Sequence, residues 1–324
     1  MKTFVISFLV AMSHVVPAQT FNIKNIYPIE QSHSYIGFKI QYMGYASVRG
    51  RFQNFRGSVY FDEKDVTRTS VSVSVEVKSI DTDNEWRDKD IQSDQWFDEK
   101  NNPVITFVSR RVNKTASGFQ ITGDLTIRGV MRSVTIPMTY SRVMPDVRDD
   151  TQVIFNGATK INRIDYGVEG KRWAGIRNEI TAVSDSVDIE LTILCKRINA
   201  GNYKNWVSNV NSPEGKLYQI ASTRGANEAI QMFGQMLLAN KEKVLPSALN
   251  TSGQMLLKEG KVNEAIVLFK RNSEAFPNEI IVYESLGEAA ATSGNLTEAR
   301  AYYNQALLKD PTNAEVSEIL RHLP

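Results

Sequence analysis

The stretch "SVSVSVEV", Ser70–Val77, places Val71, Val73, Val75 and Val77 at every second position, with Ser72, Ser74 and Glu76 between them. Successive side chains of an extended backbone point to opposite faces, so this spacing predicts a strand with one apolar and one polar face. The same alternation recurs on both sides of it. Ile36, Phe38, Ile40 and Tyr42 oppose Lys39 and Gln41, and Val134, Ile136, Met138 and Tyr140 oppose Ser133 and Thr135. Val187, Ile189, Leu191 and Ile193 share a face that also turns Cys195 inward. Segments 34–42, 57–61, 70–79, 104–112, 118–127, 132–140, 151–159 and 180–194 all read as strands, several separated by turn-forming runs such as "KTASGF" and "MPDVRDD". Such strands stack as a sandwich or close into an eight-stranded antiparallel barrel, and closure removes the exposed edges. A barrel of that size is filled by side chains or holds one slender ligand, and period does not separate the two. The inward set expected to line or fill it is Ile36, Phe38, Ile40, Tyr42, Val73, Val75, Ile105, Phe107, Ile136 and Met138.

The opening residues, "MKTFVISFLVAMSHVVPAQT", have the layout of a signal peptide over 1–18. Lys2 precedes an apolar run from Phe4 to Met12, too short to span a bilayer, and cleavage after Ala18 would leave Gln19. A periplasmic or secreted protein is therefore expected. Cys195 is the only cysteine, so no internal disulfide can form and stability must come from packed cores. Among the 324 residues a formal charge of +2 provides no broad basic field for nucleic acid. The three histidines, His14, His33 and His322, are too few and too scattered for a histidine-rich metal site.

Past residue 196 the period changes. Residues 197–213 are rich in Asn, Gly and Ser and read as a linker. In the remainder, 214–324, Gly253, Gly260, Ala265, Phe269 and Pro277 are matched by Gly287, Gly294, Ala299, Tyr303 and Pro311, each 34 residues later. This is similar to the tetratricopeptide repeat, a pair of antiparallel helices per unit, with clear units at 246–279 and 280–313. "GANEAIQMFGQMLL" (225–238) echoes the pattern and suggests a worn first unit over 214–245, with 314–323 as a closing helix. Helix positions expected to face a protein partner are Asn250, Gln254, Lys258, Glu284 and Glu288.

Two long connections interrupt the strands, around 80–103 and 160–178. The first contains "NEWRDKDIQSDQWFD" (84–98), which mixes Trp86, Ile91, Trp96 and Phe97 with Glu85, Arg87, Asp88, Lys89, Asp90, Asp94 and Asp98. Read as a short helix with its N-cap at Asp83 or Asn84, it is expected to turn its apolar residues toward the barrel and its charges toward water or one another. A lid would then consist of Trp86, Arg87, Asp90, Ile91, Trp96 and Phe97, with Trp173 from the second connection. The competing readings are a hydrolase using the acidic loop 85–98, and a scaffold whose barrel is a packed, ligand-free platform. No G-x-S-x-G elbow supports a serine nucleophile.

Six ordered motifs over 21–196 resemble the YceI-like polyisoprenoid-binding family. They are "IEQSHSYIGFKI", "SVRGRFQNFRGSV", "RDKDIQSDQWFD", "NPVITFVS" with "GDLTIRGVMRSVTI", and "INRIDYGV". The sequence departs from the family pattern with Asp90 and Tyr42 at places where histidine is usual, Trp96 where phenylalanine is usual and Met131 for threonine. The resemblance implies a lipocalin-like eight-stranded barrel whose interior holds an isoprenoid lipid, of quinone or polyprenyl type, without catalysis and with no other cofactor or metal. The whole chain is then expected to be a β + α, two-domain carrier, with the repeats recruiting a protein. A carboxylate at Asp90 would disfavour an anionic head group, which points to a neutral quinone or alcohol.

Overall fold

The computed structural model describes residues 25–145, 150–170, 182–197, 212–240 and 245–324. The expected signal peptide, most of the linker and Trp173 lie outside them. Among the described residues there are twelve strands: β1 (Ile26–Pro28), β2 (Tyr35–Tyr42), β3 (Ala46–Phe52), β4 (Phe55–Tyr60), β5 (Ser70–Glu76), β6 (Ile80–Asp81), β7 (Val104–Thr115), β8 (Gly118–Ile127), β9 (Val130–Tyr140), β10 (Met144–Pro145), β11 (Thr151–Asn162) and β12 (Val183–Arg197). They form one antiparallel sheet in the order β1-β4-β5-β7-β8-β9-β11-β12-β2-β3-β6, with β10 on β11.

The sheet curls into a half-barrel until its edge meets its middle. Beyond β1, Ile29 bridges Cys195 of β12, and the Glu30 amide donates to the Leu194 carbonyl at 2.8 Å. All eight expected strands are there, joined by four others. The seven-residue β3 escapes the alternation rule because its inward side is broken by Gly50, where a β-carbon would lie 2.4 Å from the Phe38 ring. The neighbouring strand supplies the apolar bulk that Gly50 lacks, so the pattern is complete only in pairs.

The β-domain is followed by α2 (Pro213–Arg224), α3 (Ala226–Asn240), α4 (Ser247–Lys258), α5 (Val262–Ala275), α6 (Ile280–Thr292), α7 (Leu296–Lys309) and α8 (Ala314–His322); α1 (Glu85–Gln92) belongs to the barrel. The 34-residue offset acquires a physical cause here. A β-carbon on Gly253 would fall 2.4 Å from Phe269, and one on Gly287 2.6 Å from Tyr303, so glycine lets each helix pair close on its own aromatic ring. Gly260 and Gly294 occupy the turns at φ +80 and +83, a conformation that glycine adopts without a side-chain clash. Helices α2 and α3 form the worn first pair, with Leu217, Ala229 and Phe233 fully buried.

The stack is joined to the barrel through α8, which lies on β4 and β5. Ile26 and Tyr60 share one apolar cluster with Tyr303, Val316, Ile319 and Leu323. Ser70, Ser72 and Ser74, the polar face of the opening stretch, are therefore buried rather than solvated. Glu318, with no exposed surface, accepts from Ser72 Oγ at 2.8 Å and Arg321 Nη1 at 2.7 Å, and also from Ser70 Oγ. The His322 ring stacks on Tyr60 at 4.1 Å. Burial favours the neutral acid, but His322, Arg321 and the two serine hydroxyls outweigh it and hold the Glu318 carboxyl below its ordinary range.

Candidate functional site

Inside the half-barrel the apolar face of every long strand borders a single cavity of about 540 Å³, within the roughly 300–1,000 Å³ usual for small-molecule sites. Ile36, Phe38, Ile40, Tyr42, Val73, Val75, Ile105, Phe107, Ile136 and Met138 all line it. The inward set does not fill a solid core. Sequence reasoning left out the larger part of the wall: Val48 and Phe52 on β3, Phe119, Ile121 and Leu125 on β8, Phe155 and Ile161 on β11, and the Val187–Ile193 series on β12. The alternation that selects the ten also selects most of these.

Aromatic packing closes one end. Phe61 lies edge-on to Tyr140 and Phe155, with ring centres 5.1 and 5.2 Å away, over a cluster that includes Val153 and Cys195. Burial pushes the Cys195 thiol far up, which keeps it an inert apolar group.

The other end carries α1 and the loop after it. Asn84 is the N-cap, its Oδ1 accepting from the Arg87 amide at 2.9 Å. Trp96 is buried; its indole Nε1 donates to Asp90 Oδ2 at 3.1 Å, and Arg163 lies over its ring at 5.4 Å. Ile91 and Phe97 are half-buried beneath. Trp86 departs from the expected arrangement: it touches the cavity yet remains 65% exposed.

Two of the lid's charges, Arg87 and Asp88, are held by Thr82 rather than by water or by one another, which corrects the sequence expectation. Asp88 Oδ1 accepts from the Thr82 amide at 2.9 Å, and Arg87 Nη2 donates to the Thr82 carbonyl at 2.6 Å, so both side chains tie α1 to the end of β6. Asp88 and Asp90, the carboxylates on which a hydrolase reading depends, are thus engaged by Thr82 and Trp96. Arg163, from the "INRIDYGV" motif, donates to the carbonyls of Val168 (2.6 Å), Glu169 (2.7 Å), Val183 (3.0 Å) and Ser184 (2.9 Å). It clamps the loop after β11 to the start of β12. His33 sits at the surface, Nδ1 2.8 Å from Glu30 Oε2, away from the cavity wall. Among the described residues, no group of three His, Cys, Asp or Glu side chains could hold a metal ion.

The five helix positions expected to meet a partner have varied surroundings. Asn250 is buried in the stack, because α4 packs against neighbours on both sides there, and is not presented to a partner. Gln254 Nε2 donates to Glu288 Oε2 at 2.8 Å and to Ser285 Oγ at 3.2 Å, and Glu284 Oε1 accepts from Asn313. Lys258 is half-buried. Burial, then the Glu284 and Glu288 carboxylates, push the neighbouring Glu315 up to about 7.

The profile of the YceI-like domain matches residues 27–194, and that of a tetratricopeptide repeat matches residues 256–323. The chain belongs to the YceI-like family, with tetratricopeptide repeats appended. It is similar to a UPF0312 protein of Pseudomonas aeruginosa, 34% identical over 140 residues that make up 43% of this chain and 73% of that protein. Protein YceI of Escherichia coli is 30% identical over 164 residues, 51% of this chain and 82% of that one. Among solved structures, Burkholderia cenocepacia BcnA superposes with a TM-score of 0.45 at 25% identity, covering 51% of this chain and 98% of that chain. A polyisoprenoid binding domain from Saccharophagus degradans gives 0.41 at 14% identity, covering 53% and 98%.

Proposed function

We propose that this protein is a non-enzymatic carrier that holds the isoprenoid chain of a quinone or polyprenyl lipid in its half-barrel, and that it works in the periplasm or outside the cell. The observation that supports the reading best is the wall of the cavity. It is contributed by apolar side chains of strands from β2 to β12, while the arginines at its rim are occupied by backbone carbonyls. Such a surface offers little to a reacting group and much to a hydrocarbon, since each methylene removed from water contributes about 0.8 kcal/mol. The tetratricopeptide stack is the docking element for a protein partner. With Asp90 beside the entrance, the favoured head group is neutral.

Organic extraction of the purified full-length protein followed by mass spectrometry tests this reading. A co-purifying isoprenoid is expected, together with saturable binding of a prenylated quinone on titration. An extract without lipid, and no saturation, would defeat the carrier reading in favour of a ligand-free scaffold.

A further inference from the structure

We infer that the open end of the half-barrel docks on a lipid bilayer, so that ligand moves between membrane and cavity by direct contact rather than through water. The inference rests on the carrier reading and adds how the site is loaded.

Its basis is an asymmetry between the two ends. Tyr45 is 88% exposed in the turn between β2 and β3, Trp86 65% on α1, Met131 55% at the start of β9, and Ile164 38% in the turn after β11. The strand pairings place these four at one end: Tyr42 opposes Val183, Ile127 opposes Val130, Asn162 opposes Ser186, and the turn holding Ile164 packs on β9. At the opposite end the described turns, 62–69, 115–118 and 141–145, carry no large exposed apolar side chain. Folding does not require the four to be exposed, and exposed apolar clusters mark interaction surfaces.

The occupant follows from what the cluster adjoins. Trp86 belongs both to the exposed rim and to the cavity wall, so the apolar surface of the cavity runs without a break to the outside. A tryptophan and a tyrosine flanking an apolar opening suit the bilayer interface, where an amphipathic ring meets head groups and hydrocarbon together. Beside the exposed apolar residues, Asp83, Glu85 and Asp165 are exposed with Lys89 and Arg132, and Arg128 is half-buried, so acids and bases are interleaved. Docking therefore needs no anionic lipid. A long isoprenoid leaving through water would expose its chain at about 0.8 kcal/mol per methylene, a barrier that contact with the bilayer removes.

The test is the rate at which the full-length protein takes a prenylated quinone from phosphatidylcholine vesicles, followed by quenching of tryptophan emission. The rate should rise with vesicle concentration, and the double variant Tyr45→Ser, Met131→Ser should lower it about tenfold. Neither residue lines the cavity, so quinone binding measured at equilibrium in detergent should not change. Brominated phosphatidylcholine should quench the wild type more than Trp86→Phe. Normal equilibrium binding with a rate indifferent to vesicle concentration and to the double variant would overturn the inference, and would leave the rim to a protein. Absence of equilibrium binding by the wild type would instead remove the carrier reading beneath it.

Discussion

In the helical stack Gly253 lies so close to Phe269 that a β-carbon would stand 2.4 Å from the ring, whereas in the half-barrel Phe107 borders a cavity of about 540 Å³. Both regions bury apolar side chains selected by a regular period. In the stack each side chain meets protein on all sides; in the barrel one side is left to something else. The stack therefore depends on fit and the barrel keeps capacity, and removing volume should have unequal consequences. The largest effect is expected in the stack: Phe269→Ala should cost about 3–5 kcal/mol, because the surrounding helices cannot collapse onto the space left behind. Phe107→Ala should cost less than half as much, since it only enlarges a cavity already present. Denaturant unfolding of both variants, monitored by helix and strand signals, checks the pair; equal losses would contradict the comparison.

Between the two regions lies Glu318, whose carboxylate joins β5 to α8. Glu318→Ala takes the acceptor from Ser70 and Ser72 and the carboxylate from Arg321, which keeps only its bonds to Ser109 and Val71, and should destabilise the chain by roughly 2–4 kcal/mol. Because the folded carboxyl is held below its ordinary range, its stabilising contribution is present above the unfolded value of 4.5 and is lost as pH falls through the folded one. Limited proteolysis near residue 212 should accelerate in the variant and, for the wild type, in acid. Proteolysis as slow as in the wild type would show that the apolar cluster around Tyr60 and Ile319 suffices.

The way β5 is used also shows how far the sequence could be read. The alternation in Ser70–Val77 revealed a strand and its inward valines, since pleat geometry depends on nothing outside the strand. That its serines are covered by α8 could not be foreseen, because a serine face suits water and a close helix equally well. Gly50 hid β3 because the bulk belonging to its position comes from Phe38 on another strand. The repeat's 34-residue offset was legible, but not that Gly253 receives Phe269 of its own hairpin, since spacing equally allows the ring to serve the neighbouring unit. The cavity was not: which inward side chains touch one another depends on how tightly the sheet curls, a property of all its strands together.

A smaller effect separates the regions through pH. Glu315 is pushed up to about 7, first by burial and then by Glu284 and Glu288, so between about pH 4.5 and 7 the folded chain holds more proton than the unfolded one. Stability from this group is present at low pH and declines as pH rises toward 7, the reverse of Glu318. Glu315→Gln should stabilise the stack by roughly 1–2 kcal/mol above pH 7 and by little at pH 4.5. Thermal melts at the two values check it, and equal shifts would mean that the neighbouring carboxylates are not felt.

The smallest change in stability belongs to the cavity wall, and it is the most informative about what the barrel is for. Val73 faces the cavity while its neighbours on β5, Ser72 and Ser74, are buried under α8. Val73→Ala should cost less than about 1 kcal/mol, because the methyl groups it removes have protein on one side only. Val73→Phe should be tolerated almost as well, where a packed core would charge about 1–3 kcal/mol for the added bulk. Their effects on binding should diverge: the phenylalanine occupies space that a bound chain would use, so affinity for long prenyl chains should fall while short ones are spared. Measuring both variants against prenylated quinones of increasing length separates a container from a core. If Val73→Phe destabilised the fold by several kcal/mol, the wall would be packing after all. If it left the length preference unchanged, the bound chain would not reach the middle of β5.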